Sequence, residues 1–491
     1  MKFYLILQRA CFLLCCSFTV QAADSNRVFE RHFDGVLGTS LDITIVTDET
    51  EQIVELAVSS AVAEIGKLEQ ILSTYRADSE LMRLNHSGST NAASAELLEI
   101  ISACEQWYSR SEGKFSCKLG DILRLWDEAE RAQEVPDRIT VRAVARKANQ
   151  ASLDIDVAAA TVDLPEGVTL DPSGLAKGYI IDRALTVLRA FLSEDSAVKL
   201  DIGGDAYYWQ SPPAEDSWQV GIADPIETAD NQRFIATLAV NSKAVTASGH
   251  NSRTRHIGHR EFSHIFTPRD GWPVTSGTAS IVIAPDVMSA DAIATALTVQ
   301  DLNDGIDWVN SLPEVEAMVI DSQGVQLTSL NWSDYVAGTN AREGGEALDL
   351  TLEYVLPEFA VASYNRPYLA IWITDTNQKA LKNLLLLGET ERWARENTRW
   401  WRRVGRRNPQ LLDGVARATR GPGEYTLKWD GLDDFGAIVP PGDYLLHLEA
   451  SRENGGSTYK SIPITLGSSE MNVRMEPEGE LGTIVLHIKG Q

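Results

Sequence analysis

The residues best suited to chemistry lie between Phe262 and Leu297, in F-S-H-I-F-T-P-R-D-G-W-P-V, then A-S-I-V-I-A-P and S-A-D-A-I-A-T-A-L. Asp291 and Thr295 stand four residues apart where a helix is expected to start. That spacing puts a carboxylate and a hydroxyl on one helix face. A helix N-terminus favours negative charge and phosphate, and hard oxygen ligands beside it suit a magnesium–pyrophosphate site. The competing reading is an Asp that only caps its helix. His264 opens a Pro/Gly turn, where a neutral imidazole could take a proton from an attacking hydroxyl. The plain alternative is a histidine bonded to nearby backbone.

A second stretch, L-D-P-S-G-L-A-K-G-Y-I-I-D (Leu170 to Asp182), sets Asp171 before a tight turn and Lys177-Gly178 at an expected helix start. Gly174 lets the backbone come close to a ligand, with its carbonyl toward a metal. Lys177 could neutralise phosphate. The pattern is neither a Walker loop nor a Rossmann fingerprint. In S-T-Y-R-A-D-S-E-L-M-R-L-N (Ser73 to Asn85), Tyr75 could stack on a planar ring, and Asp78-Ser79 could cap a helix. D-I-G-G-D-A (Asp201 to Ala206) and A-V-T-A-S-G-H (Ala244 to His250) read as strands ending at small residues, with the paired glycines as a turn. His250, His256 and His259 form a loose group and a weak metal candidate.

These segments need a large frame. From about Val28 to Leu330 the periodicities alternate between strands, such as Thr39 to Val46, Trp218 to Ile222 and Phe234 to Val240, and helices near Glu51 to Leu72, Ala95 to Ser109 and Ile180 to Leu192. This predicts one α+β domain over residues 23–336. Residues 337–347 lack apolar periodicity and read as a linker. Residues 348–491 hold short strands between turn signals, a small β-sandwich, with a helical insertion around Glu389 to Arg403 that carries Trp393, Trp400 and Trp401.

The first residues have Lys2 and Arg9 flanking an apolar run that ends in V-Q-A, so residues 1–22 read as a signal peptide. The run is short for a membrane span. Cys15 and Cys16 raise lipoprotein processing, but Leu14 occupies the place of the expected small residue. The remaining cysteines, Cys104 and Cys117, could pair in an oxidising compartment; the sequence leaves this open. A formal net charge of −25 argues against nucleic acid or anionic-lipid partners. An anionic ligand would have to be held by a metal, backbone N–H groups and local cations.

In this order the segments resemble the FAD:protein FMN transferases, the ApbE-type flavin transferase family. The matching elements are S-T-Y-R-x-D-S-E-L-x-R-L-N, D-P-S-G-L-A-K-G-Y, D-I-G-G-D, W-Q-V-G-I-x-D-P, T-A-S-G-H, S-H-I-F-T-P-R-D-G-W-P-V and S-A-D-A-I-A-T-A-L. The resemblance implies a periplasmic, Mg2+-dependent enzyme that splits FAD, attaches FMN to a Thr or Ser of a partner flavoprotein and releases AMP. A membrane-bound redox-complex subunit is one candidate acceptor, which would bring the enzyme to the inner membrane. Carried over, the metal ligands are Asp291, Thr295 and the backbone of Gly174. FAD contacts are Leu37, Tyr75, Lys114, Phe115, Ser116, Asp171, Lys177 and Ile265, and the base is His264. Ser116 and Asp121 stand where the family more often has an acid and a proline, and His250 where an acid or amide is common.

The tail resembles an uncharacterised periplasmic domain that follows flavin transferases. W-D-G-x-D-x-x-G-x-x-V-P-x-G-x-Y is also similar to the Ig-like module of flagellar hook-capping proteins. Its Asp430, Asp433 and Asp434 are accounted for by turn chemistry rather than calcium. The other functional readings are an FAD-binding protein and an FAD pyrophosphatase with water as acceptor.

Overall fold

Alternation makes Thr39–Thr47 a half-buried strand: Leu41, Ile43 and Ile45 are buried and the residues between them are not. The computed structural model describes residues 27–210, 217–223, 234–249, 254–275, 277–338, 349–359, 364–388, 395–407, 416–417, 419–429, 431, 433, 439–453, 455–467 and 470–489. Thr39–Thr47 belongs to an eight-stranded antiparallel sheet. Its order is Arg27–Val36, Thr39–Thr47, Ala197–Ile202, Asp205–Gln210, Lys243–Gly249, Ala279–Ala284, Glu316–Ile320, Gln326–Thr328.

Helices α1 (Glu51–Leu72), α2 (Glu80–Ser87), α3 (Ala95–Arg110), α4 (Gly120–Ala132), α5 (Arg138–Gln150), α6 (Ser173–Arg189), α7 (Val287–Leu297) and α8 (Leu302–Asn310) complete the domain. The apolar faces of α1, α3, α6 and α7 share one core with Leu41, Ile43, Leu200 and Val282 of the sheet. The opposite face packs on a three-stranded sheet of Trp218–Ala223, Phe234–Val240 and Val336–Gly338, through Tyr208, Leu238, Ile281, Ile283 and Met318. Covered on both faces, Ala279–Ala284 is buried at every residue, which is why it reads as a continuous apolar run. Thr50, Ser79 and Ser94 cap α1, α2 and α3 by accepting from the N–H groups of Ile53, Met82 and Leu97.

Two helix starts differ from expectation. The Leu175 and Ala176 N–H groups both reach the Pro172 carbonyl, at 2.9 and 2.8 Å, so Pro-Ser-Gly is the entry to α6 and not a turn before it. Lys177 and Gly178 therefore lie in the second turn. Likewise α7 starts at Val287, ahead of Asp291, because Asp286 accepts from the Ser289 N–H at 2.7 Å and its hydroxyl at 2.9 Å. The first N–H groups of α7, on Val287 and Met288, are taken by Asp182 at 3.0 Å each. Two carboxylates thus occupy the helix end expected to receive phosphate, and Asp291 acts from inside the helix.

The C-terminal unit is a sandwich. One sheet runs Gly423–Trp429, Asp349–Leu356, Ile484–Lys489, Met471–Met475; the other runs Ala416–Arg417, Ala380–Leu387, Tyr368–Asp375, Gly442–Ser451, Ser457–Leu466. Leu352, Tyr354, Ile371, Leu446 and Leu486 fill its core. Of the helical insertion the described residues hold the helix Thr398–Arg403; residues 389–394, with Trp393, lie outside the described residues, as do Asp430 and Asp434. This helix packs Trp400 on the outer face of the second sheet, beside Trp372.

Under it, the His447 ring stacks on Trp372 at 4.8 Å, with Nε2 2.9 Å from Thr374 Oγ1 and Nδ1 2.8 Å from the Tyr459 hydroxyl. Burial, helped by Arg403, pushes His447 down to about 4 from 6.5. The unfolded chain takes up this proton near its ordinary value and the folded one does not, so stability is lost as pH falls through that window. The sandwich is expected to lose up to about 3 kcal/mol on acidification. Thermal unfolding of the full chain at pH 7 and pH 4.5 checks this; an identical pH slope in His447→Gln would remove the assignment.

Candidate functional site

The crossing of α6 and α7 sets the geometry. A Cβ on Gly178 would lie 2.5 Å from the Val287 carbonyl oxygen and 2.6 Å from the Met288 nitrogen, so the backbones touch where no side chain fits. One turn further along α6, Asp182 fastens the start of α7 by the two bonds above. The same face of α6 then brings Gly174 against Thr295: a Cβ on Gly174 would be 3.3 Å from Thr295 Oγ1 and 3.0 Å from the Phe115 ring.

Asp291, only 7 % exposed, leaves Oδ2 buried without a hydrogen-bond partner. Burial first, and the nearby Asp205 second, push its carboxyl up to about 8, against the pull of Lys177 and the Gly178 N–H. Burial works against the charge of Lys177, but Asp205 and Asp291 outweigh it and hold the ammonium above the ordinary lysine range. Lys177 Nζ is 2.5 Å from Asp205 Oδ2. Asp205 opens its strand directly after Gly203-Gly204, whose φ values of 61° and 92° make the tight hairpin turn. A second tight turn, Leu37-Gly38, lies alongside: Gly203 N–H donates to the Ser40 carbonyl at 3.1 Å, and a Cβ on Gly203 would strike Thr39 at 2.7 Å. Leu37, half-buried at φ 50°, takes a left-handed conformation that costs a side chain roughly 1 kcal/mol.

The segment carrying Lys114, Phe115 and Ser116 joins this centre from α3. Cys117 forms a disulfide with Cys104 of α3, closing the pairing the sequence left open. Its carbonyl accepts from the Asp171 N–H at 2.7 Å, and Asp171 Oδ1 accepts from the Ser173 N–H at 2.9 Å. Phe115 and Ser116 are buried and Lys114 is half-buried. Asn85 of α2 clamps the preceding residue, donating from Nδ2 to the Leu170 carbonyl at 2.8 Å and accepting from its N–H at 2.7 Å. The stretch Ser73 to Asn85 is thereby tied to the Asp171 loop. Tyr75, on the α1–α2 connection, is 87 % exposed.

His264 and Ile265 sit on a different support. They follow the hairpin of Thr254–Ile257 and Arg260–Ser263, which with its turn wraps Trp126 of α4. Phe262, Phe266 and Trp272 pack around that indole at 5.2, 5.7 and 5.0 Å, and its Nε1 donates to the Gly271 carbonyl at 3.0 Å. His264 is half-buried. Both backbone groups of Ile265 are engaged, the N–H with Ser263 Oγ at 3.1 Å and the carbonyl with the Val274 N–H at 3.0 Å. His256 and His259 lie on the hairpin and His250 lies outside the described residues; among the described residues no group of three or more His, Cys, Asp or Glu could hold a metal.

The structure thus brings Gly174, Lys177, Asp291, Thr295 and Phe115 together around one buried carboxylate. Asp205, Asp182 and Asn85 were not singled out from the sequence, although each ends or opens a quoted motif. Nothing in local spacing tells which acid of D-I-G-G-D will meet a lysine from another element.

Comparison with known proteins identifies the family and the fold. Residues 37–319 match the ApbE family, and residues 349–483 match a domain family described as a predicted periplasmic protein (DUF2271). A relative from Klebsiella pneumoniae, named FAD:protein FMN transferase, is 26% identical over 260 residues, covering 52% of this chain and 79% of its own length. One of the same name from Haemophilus influenzae is 26% identical over 267 residues, covering 52% and 74%. The crystal structure of an ApbE protein from Thermotoga maritima superposes with a TM-score of 0.57 at 22% identity, covering 64% of this chain and 100% of that one. The mixed α/β fold of the N-terminal part is therefore the ApbE fold, followed by all-β sheets. The chain belongs to the ApbE family, the FAD:protein FMN transferases, and is a transferase.

Proposed function

We propose that this chain cleaves FAD in a magnesium-dependent reaction and transfers FMN to a Thr or Ser hydroxyl of a partner flavoprotein, with AMP as the leaving group. The observation that carries the reading is the buried Asp291, whose Oδ2 lacks a partner beside Thr295 and Gly174. A carboxylate, a hydroxyl and a backbone carbonyl fit Mg2+, which prefers few protein oxygens and completes its shell with water and substrate phosphate. The Gly178 N–H, one helix turn along α6 from Gly174, also acts on Asp291. Magnesium, when bound there, would offset charge on the pyrophosphate.

The chain's own residues do the rest. Lys177, held protonated by Asp205, supplies a fixed cation for phosphate oxygen. Tyr75 offers an exposed ring for a planar heterocycle, and Leu37, Lys114, Phe115, Ser116, Asp171 and Ile265 line the approach. His264 takes the proton of the acceptor hydroxyl. The acceptor oxygen bonds to the FMN-side phosphorus, and the bond from that phosphorus to the bridging oxygen breaks, releasing AMP. We place the chain in the periplasm after removal of residues 1–22, with the transferase unit at 23–336 and the accessory sandwich at 348–491, joined by 337–347, of which Ala337 and Gly338 finish the strand Val336–Gly338. The predicted-periplasmic description of the DUF2271 family supports that location, and among the described residues no helix is long and apolar enough to cross a membrane.

Incubation with FAD, Mg2+ and an acceptor carrying a D-x-x-[ST]-G-A-T segment should add the mass of FMN to the acceptor. Steady release of FMN and AMP with no mass increment would replace this reading by FAD hydrolysis. His264→Ala is expected to slow transfer by about 10²–10⁴-fold with FAD binding retained. Loss of FAD binding instead would make the histidine structural.

A further inference from the structure

We propose that the Arg–Trp face of the C-terminal sandwich, built on the helix Thr398–Arg403, docks the chain on an anionic phospholipid surface. The whole chain carries 44 basic against 69 acidic residues, yet Arg395 to Arg407 holds six arginines, no lysine and a single acid, Glu396. Arg395, Arg399, Arg402 and Arg406 are exposed and Arg403 is half-buried. Several other cations of this chain are answered by a carboxylate, as in Lys67–Glu96 at 2.6 Å, Arg124–Asp121 at 2.9 Å and Arg255–Asp127 at 2.5 Å. Arg402, Arg403 and Arg406 have no such ion pair among the described residues. Among the described residues their charge is open to an anionic partner.

The face is held rigid from below. Glu449, buried in the sheet, accepts from the N–H groups of Arg399 at 3.0 Å and Trp400 at 2.8 Å. Trp400 Nε1 donates to Asn383 Oδ1 at 2.8 Å. Arg399 lies over the Tyr459 ring at 4.3 Å and Arg395 over the half-buried Trp401 at 5.2 Å. Guanidinium groups therefore stand outward on an aromatic layer.

That layering selects the occupant. Guanidinium forks match phosphate oxygens in pairs, which a lysine ammonium does not. Trp400 is buried against the sheet, but the part-exposed Trp401 beside these arginines suits the level where headgroups meet acyl chains. A phospholipid surface offers phosphate to the arginines and an interfacial place for that indole edge, whereas an acidic protein segment offers only the charge. Screening over about 8 Å at physiological salt lets this local patch act despite the acidity of the whole. The docking is independent of the transfer reaction.

The test is co-sedimentation of the full chain with vesicles of about 30 % phosphatidylglycerol in phosphatidylcholine, whose negative surface potential draws a basic patch. Binding is expected there, not to pure phosphatidylcholine, and is expected to fade as salt is raised. Arg402→Glu/Arg406→Glu should weaken it at least about tenfold, while Arg402→Lys/Arg406→Lys retains part of it and both variants keep the wild-type melting profile. Equal binding to neutral vesicles, or unchanged binding of the charge-reversed variant, overturns the proposal. So does wild-type chain that ignores the anionic vesicles but is held by an acidic protein through the same arginines.

Discussion

Asp291→Asn is expected to slow FAD cleavage about a thousandfold or more and yet to raise the stability of the metal-free chain at alkaline pH. Both effects come from one atom, the buried Oδ2 that no donor reaches. With its carboxyl pushed up to about 8, the folded chain keeps a proton that the unfolded chain has released. Stability contributed by that proton is present at low pH and is lost as pH rises from the ordinary carboxylate range through about 8. Wild-type chain without metal should therefore melt lower at pH 8.5 than at pH 6, and Asp291→Asn should flatten that difference. Mg2+ must displace the same proton, so its affinity should rise up to about tenfold per pH unit below that value. Scanning calorimetry with and without Mg2+ reads all of this. A variant that Mg2+ still stabilises as it does the wild type, or that keeps its activity, would show the cation to be bound elsewhere.

The second large effect is expected from a single methyl group. In Gly178→Ala the added Cβ meets backbone atoms of Val287 and Met288 at 2.5–2.6 Å, and backbone has no rotamer with which to yield. The helices must part, at a cost of about 3 kcal/mol. The movement also draws Val287 and Met288 away from the Asp182 carboxylate that both now reach at 3.0 Å. Burial already holds that carboxyl up to about 7, so losing its donors removes what stabilises the charge. Chemical denaturation should show the loss of stability, and the separation of Lys177 from Asp291 should appear as a weakened response to Mg2+ in whatever folds. A variant as stable and as responsive as the wild type would mean that α6 and α7 do not touch there.

How far the sequence went in describing this centre depended on distance along the chain. Strands such as Thr39–Thr47 and helices such as α1 were legible because their periodicity and caps are local, and so was the short-strand pattern of the sandwich. Asp291 and Thr295 were legible as a pair because a helix turn relates them. Their helix was nonetheless started one turn late, since Asp286, the residue that caps it, precedes the motif that drew attention. Lys177 could be suspected of meeting an anion, but its protein partner, Asp205, reaches it only through the sheet. The double bond of Asn85 to Leu170 spans 85 positions and leaves no periodic trace. The strand Ala380–Leu387 escaped notice because L-K-N-L-L-L-L has neither period; it is an interior strand whose buried run carries no alternation.

Strand Thr39–Thr47 lies next to Ala197–Ile202, and α1 to α6 are threaded between these neighbours. Closing that pairing means closing a loop of about 150 residues, an entropic toll that local contacts must offset before the sheet can zip. The pairing also carries Gly203-Gly204, and with it Asp205, to its place beside Lys177. The centre is thus a late product of folding. Chains rich in such distant pairings fold slowly, and no fragment ending before Thr295 contains it. A truncated copy would keep Tyr75 while lacking the meeting of Lys177, Asp205 and Asp291.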